Sequence, residues 1–414
     1  MSSAKQLLIE KLLSDPVGFS DEEFIRLVGP PNAVDDPDVD NPDVRINFDD
    51  LRKMIIRIYD INESALRQES DATTGVMGFL NRRSTKKRAK AYFRLIREGF
   101  RLKDRPAKFD WEKSKNSRLK NRDNKIIVAE GDSWFQFPVF IKDVIDWLDV
   151  IPNHALYSIA YGGDWITNII YEGKYIEELS IHSPDVFLIS GGGNDLVGSD
   201  RVAIMTDLNG NCDKYKDITQ LSAKFKDLSP GELAAVFNAL RYVTKAFYAF
   251  LWTIKAQYWI MFKSIGRSRR LSKMKIITQG YDFAIPSLAR RWSSRYPLQW
   301  IVNVGLDTGK WLEEPLLIKG IPKHAHASII KHFISELNEI FIDLAKTFEN
   351  VYHIDARGTA LSQDDWWDEL HLKPHKFKQV AMAYDYCINE NPENKKVIKV
   401  REIINGKIRY EWPC

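Results

Sequence analysis

Four short blocks of the chain carry residue types suited to nucleophilic chemistry: Gly131-Asp132-Ser133-Trp134, Gly162-Gly163-Asp164, Gly191-Gly192-Gly193-Asn194-Asp195 and Asp368-Glu369-Leu370-His371. A serine hydroxyl attacks poorly until a base within hydrogen-bond reach removes its proton, and an imidazole base must itself be held in one tautomer. Asp368 and His371 lie three residues apart, so one turn of chain can bring carboxylate and imidazole together. Attack on an ester carbonyl places negative charge on its oxygen. Backbone N–H groups at glycine turns, and the uncharged Asn194 amide, can receive that charge. Taken singly, each residue also has an ordinary use: Ser133 as a helix cap, Gly163 and Asn194 as turn residues, His371 as a surface histidine.

The elements that must position these blocks are legible from residue 125 onward. Short apolar runs, KIIVAE, ALYSIA, DVFLIS, MKIITQG and VYHIDA, alternate with helical stretches near residues 139–150, 164–180 and 324–349, and a last helix follows Pro374. Strands alternating with helices predict an α/β domain with a doubly wound, mostly parallel sheet. Each block follows one of these strands, and ligands of such sheets collect outside the carboxyl ends of the strands. The rhythm breaks once, where a segment over 199–274 precedes the fourth strand.

In this order the four blocks resemble the SGNH, or GDSL-type, serine hydrolases, whose name lists Ser, Gly, Asn and His. The resemblance spans residues 124–200 and 274–390. It implies a three-layer fold, Ser133 as nucleophile, His371 as base and Asp368 as its orienting partner. It also implies an oxyanion hole from Ser133, Gly163 and Asn194, and no metal or organic cofactor. Spacing alone leaves Gly162 beside Gly163 as the donor. The family name has Leu after the serine where this chain has Trp134, which bears on neighbouring packing. Asp132 is expected to brace the loop. The G-x-S-x-G elbow of the α/β-hydrolases is absent around Ser133. His371 and His375 are four apart like metal ligands, but Pro374 intervenes and no third ligand is evident.

Residues 1–122 lack strand-like alternation and read as a separate helical unit, with Ser20 and Glu23 spaced as a capping box. Its acidic loop alternates Asp36, Asp38 and Asp40 like calcium ligands. Asn41 and Asn47 stand where an EF-hand loop needs Gly and Glu. Residues 81–122 hold 17 Lys or Arg against four acids, a solvated face or an electrostatic footprint. Within the inserted segment, expected as a helical cap, Arg241, Lys245, Lys255 and Lys263 form a cationic ridge beside Phe247, Phe250, Leu251, Ile254, Tyr258 and Met261. Over 234–275 such a helix suits a lid, an anionic membrane surface or an oligomer interface. Residues 391–414 read as a tail.

The 414 residues, 44% hydrophobic and 28% charged, exclude a disordered, collagen-like or coiled-coil chain, and a net charge of +4 points to no partner. Cys212, Cys387 and Cys414 match no zinc or redox spacing and suit a reducing compartment. Lys5, Glu10 and Lys11 interrupt any apolar run at the start, so a cytoplasmic protein, peripheral to membranes at most, is expected. The expected activity is hydrolysis of lipid or phospholipid acyl esters. The alternatives are a carbohydrate O-acetylesterase and a non-catalytic adaptor for membrane or nucleic acid. Nucleic acid is not an expected partner of the enzyme.

Overall fold

Six parallel strands form one sheet in the order β2-β1-β3-β4-β5-β6. The strands are β1 (Lys125–Gly131), β2 (His154–Ser158), β3 (Val186–Ser190), β4 (Lys275–Gln279), β5 (Val351–Asp355) and β6 (Val397–Lys399). The computed structural model describes residues 4–31, 45–59, 76–97, 122–137, 141–197, 199–210, 213–286, 311–391, 393–410 and 412. Cys212, Cys414, Asp36, Asp38, Asp40 and most of 81–122 lie outside them. Strands β3 and β5 are buried at every position, and β1 at all but its first, because helices cover both faces of a parallel sheet. The order reverses between β1 and β3, whose carboxyl ends meet at the Gly131–Ser190 pair. That junction is the switch point where doubly wound sheets open a crevice. A Cβ on Gly131 would stand 2.6 Å from the Ser190 carbonyl oxygen, so only glycine lets the strands close there.

All five expected strands are present, and the sheet is the doubly wound one the alternation predicts. Three details differ. The expected helix over 164–180 is two, Ile166–Glu172 and Lys174–His182, broken at Gly173 with φ +65°. The residues read as a tail supply β6, which pairs with β5 at His353, Ile354 and Asp355. Three residues are too short a run for a period-two pattern to register. The N-terminal helices share the sheet's core: Leu12, Phe24, Leu27 and Met54 belong to the same continuous apolar cluster as Val128 and Leu188.

The inserted segment is helical. Its long helix, Lys245–Arg267, buries Phe247, Phe250, Leu251, Ile254, Tyr258 and Met261. Phe247 stacks on Phe333 of the Lys323–Thr347 helix, with centroids 4.1 Å apart. The outer side is covered by the helices Ala4–Ser14, Asp21–Val28 and Phe48–Tyr59. Trp252 donates to the Pro16 carbonyl and Trp259 to that of Gly29, each at 3.0 Å. On the expected ridge, Lys255 is held between Asp21 at 2.9 Å and Asp343 at 2.8 Å. The capping box is formed, with Glu23 N–H donating to Ser20 Oγ and Ser20 N–H to Glu23 Oε2. No helix among the described residues is long and apolar enough to cross a membrane.

Candidate active site

Ser133 sits in the turn that β1 enters at the switch point. The chain turns back through the Phe135 and Gln136 amides, both bonded to the Asp132 carbonyl at 3.0 Å. Asp132 points inward and is buried. Its carboxylate accepts from the Trp134 amide at 3.1 Å, the Ser190 hydroxyl at 3.0 Å and the Tyr281 hydroxyl. Burial pushes this carboxyl above its ordinary range, and the three donors oppose the shift. Asp132 is thus the brace of the turn, and Ser133, half-buried, faces outward from it.

The loop after β5 brings the base. Asp368 Oδ1 accepts from the backbone amides of Leu370 and His371, both at 2.8 Å, which folds 368–371 into a tight turn. The same carboxylate lies 2.8 Å from His371 Nδ1. With Nδ1–H donating there, Nε2 carries the lone pair, and it lies 2.7 Å from Ser133 Oγ. Phe137 and Trp311 flank the imidazole, with centroids 4.6 and 5.9 Å from it. His375 turns away, exposed, toward Asp365 at 3.3 Å. Among the described residues no group of His, Cys, Asp and Glu converges as metal ligands.

Asn194 follows β3 and lines a cavity of about 20 Å³ together with Ser133. One of its amide hydrogens goes to the Asp164 carbonyl at 2.9 Å, and the Ile166 amide returns a bond to Asp195 at 3.0 Å, so the Gly163 and Asn194 turns are laced together. Gly163 is exposed on its turn, next to this lacing, whereas Gly162 is buried. Burial raises Asp164 to about 7, with Glu172 adding to the shift, and raises Asp195 to about 6.

The structure thus joins Ser133, His371 and Asp368 by direct hydrogen bonds, puts Asn194 in the same cavity as Ser133 and holds Gly163 on the adjoining turn. Sequence reasoning missed Tyr281, although it stands two residues beyond β4, where the rule on strand ends directs attention. It also missed Glu369, which accepts from the amides of Trp311, Leu312 and Glu313 at 2.7, 2.8 and 3.2 Å and so fixes Trp311 beside the imidazole. Such an arrangement can deprotonate an alcohol, deliver it to a carbonyl and return the proton to a leaving group.

No family model and no curated protein matches the chain. Among solved structures it is similar to a GDSL-like lipase from Parabacteroides merdae, 10% identical, covering 63% of this chain and 95% of that one at a TM-score of 0.32. An acetylxylan esterase from Geobacillus stearothermophilus is 11% identical over 64% and 93% at 0.31. An extracellular lipase from Streptomyces rimosus is 11% identical over 67% and 94% at 0.31. At these scores the likenesses carry no weight, and the functional reading rests on the residues around Ser133.

Proposed function

We propose that the chain is a serine ester hydrolase of the SGNH type. The carrying observation is the unbroken hydrogen-bond chain Ser133–His371–Asp368 at the carboxyl edge of the sheet. Ser133 Oγ attacks the ester carbonyl carbon while its proton passes to His371 Nε2. The imidazolium that forms is stabilised by Asp368 and then protonates the departing alkoxide, leaving an acyl-serine. Water, deprotonated by the same imidazole, attacks the acyl carbon and restores Ser133. The oxyanion of each tetrahedral intermediate is received by the second Asn194 amide hydrogen and by the backbone amides of Ser133 and Gly163, donors that typically lower the barrier by about 3 kcal/mol each.

Lipid acyl esters and carbohydrate O-acetyl esters present the same carbonyl to this machinery and differ in the acyl substituent. The deciding experiment is hydrolysis of p-nitrophenyl esters from acetate to palmitate by the intact chain and by Ser133→Ala. Turnover that disappears in the variant, with an unchanged circular dichroism spectrum, is expected. Absence of Ser133-dependent turnover across the series would overturn the reading and favour a binding protein built on the same fold.

A further inference from the structure

We propose that Tyr281 is a positioning residue for the hydrolysis, setting the turn that carries Ser133 against the turn that carries Asn194. This rests on the hydrolase reading above and deepens it, by naming what holds nucleophile and oxyanion donor in register.

Ser133 follows β1 and Asn194 follows β3, so attack and charge stabilisation depend on two separate turns keeping one spacing. Tyr281, just beyond β4, reaches both. On one side its hydroxyl donates to the Asp132 carboxylate, which also accepts from the Trp134 amide at 3.1 Å. Ser133 lies between these two anchored residues. The Tyr281 ring also meets the Trp134 ring edge-on, with centroids 5.2 Å apart. On the other side the ring lies against Gly193, the residue before Asn194. A Cβ on Gly193 would stand 2.5 Å from Tyr281 Cζ, an approach that only glycine permits. Ser190, at the end of β3, joins the two sides, its Oγ 3.0 Å from Asp132 Oδ1 and 3.4 Å from the Tyr281 hydroxyl.

A spacer is useful only if its own backbone is fixed. Tyr281 is buried, and its carbonyl accepts from Asn338 Nδ2 of the Lys323–Thr347 helix at 3.3 Å. Asn338 Oδ1 lies 3.2 Å from His353 Nε2, and His353 Nδ1 lies 3.0 Å from Thr278 Oγ1. One buried chain of bonds thus ties β4, β5 and that helix together behind the ring. The next residue, Asp282, accepts from the amides of Phe283, Gly358 and Ala360 at 2.8, 2.6 and 2.5 Å. Burial, and after it the Asp132 charge, holds the Tyr281 hydroxyl well above its ordinary range, so it stays a donor. The ring and hydroxyl are therefore fixed points to which both turns are fitted.

The test compares the parent chain with Tyr281→Phe, which keeps the ring against Gly193 and removes only the donor, and with Tyr281→Leu, which removes both contacts. kcat and KM for p-nitrophenyl acetate are read beside the rate of Ser133 labelling by an ethyl fluorophosphonate, followed by mass spectrometry. Acylation and deacylation run through the same two turns, so both should slow together and KM should stay within about twofold. The expected fall in kcat and in labelling rate is about tenfold for Tyr281→Phe and about a hundredfold for Tyr281→Leu, the scale of a misplacement of about 1 Å. Tyr281→Phe is nearly isosteric and carries the test alone if the leucine variant does not fold. A phenylalanine variant with kcat and labelling equal to the parent's overturns the positioning role and leaves the hydrolase standing. So does a rise in KM at unchanged kcat, or a loss of turnover matched by a loss of folded protein in circular dichroism. A parent chain that neither turns over ester nor is labelled at Ser133 removes the hydrolase reading, and this inference with it.

Discussion

The indole N–H of Trp134 donates to the backbone carbonyl of Leu370 at 3.1 Å, tying the turn that carries Ser133 directly to the turn that carries His371. The Trp134 ring is buried edge-on to Tyr281 and Phe377, so the tie is held from both sides. Replacing the ring by one without the donor should loosen the Ser133–His371 distance more than it weakens substrate binding. Trp134→Phe is expected to lower kcat about tenfold with KM changed less than twofold, since small misplacements of reacting groups are costly. Steady-state kinetics on p-nitrophenyl acetate reads this split, and an equal change in both constants would speak against a positioning role.

Asp368→Asn separates the two tasks of that side chain. The amide oxygen can still receive the Leu370 and His371 backbone N–H groups, so the turn should survive. It cannot stabilise an imidazolium, and it favours the wrong tautomer. Turnover should fall by about 10³ to 10⁴ with an unchanged melting temperature. A variant within tenfold of the parent would show that Asp368 is not the partner of the base.

Asp164 gives a pH dependence of stability with a defined sign. Burial and Glu172 raise this carboxyl from 3.8 to about 7. Between those values the folded chain keeps a proton that the unfolded chain has released, so the contribution of this group to stability falls as pH rises through the window. Asp164→Asn cannot ionise. It should match the parent near pH 4 and exceed it at pH 8, by at most about 4 kcal/mol at about 1.4 kcal/mol per unit. Urea unfolding at both pH values checks it, and equal midpoints at pH 8 would refute it.

Arg88 fastens the Val76–Arg97 helix to the domain from within. It is 5% exposed and donates to Gln136 at 2.8 Å, Asp146 at 2.7 Å and Asp143 at 3.2 Å. Arg88→Ala strands the buried Asp143 carboxylate and should cost about 3–5 kcal/mol of unfolding free energy. Asp143→Asn combined with Arg88→Met should recover much of the loss, because a buried pair replaced on both sides leaves no bare charge. Denaturant midpoints of the single and double variants decide the matter.

Ser133, Asp368 and His371 were legible because the chemistry is written in local motifs, and the strands before them because apolar runs flanked by turn residues register in short windows. Asn194 was legible for the same reason. Tyr281 and Glu369 were not, since each acts through a partner distant in sequence: Tyr281 through Asp132, Glu369 through the amides at 311–313. The N-terminal helices show a related limit. The Lys245–Arg267 helix announces a broad apolar surface, but periodicity does not say whether bilayer, oligomer or the chain's own first helices will cover it. Trp252 and Trp259, bonded to Pro16 and Gly29, supply an answer that only the fold contains.

The hydrogen bond between Ser133 and His371 closes across 238 residues of chain. Strand β1 pairs with β2 and β3 within the first half of the sequence, whereas the turn that carries Ser133 is held by Tyr281 and Leu370, and the base stands on the loop after β5, which pairs beside β4. Until those non-local contacts are made, Ser133 is an ordinary alcohol. Reactivity is therefore a property of the finished sheet, and a nascent or partly unfolded chain carries a harmless serine.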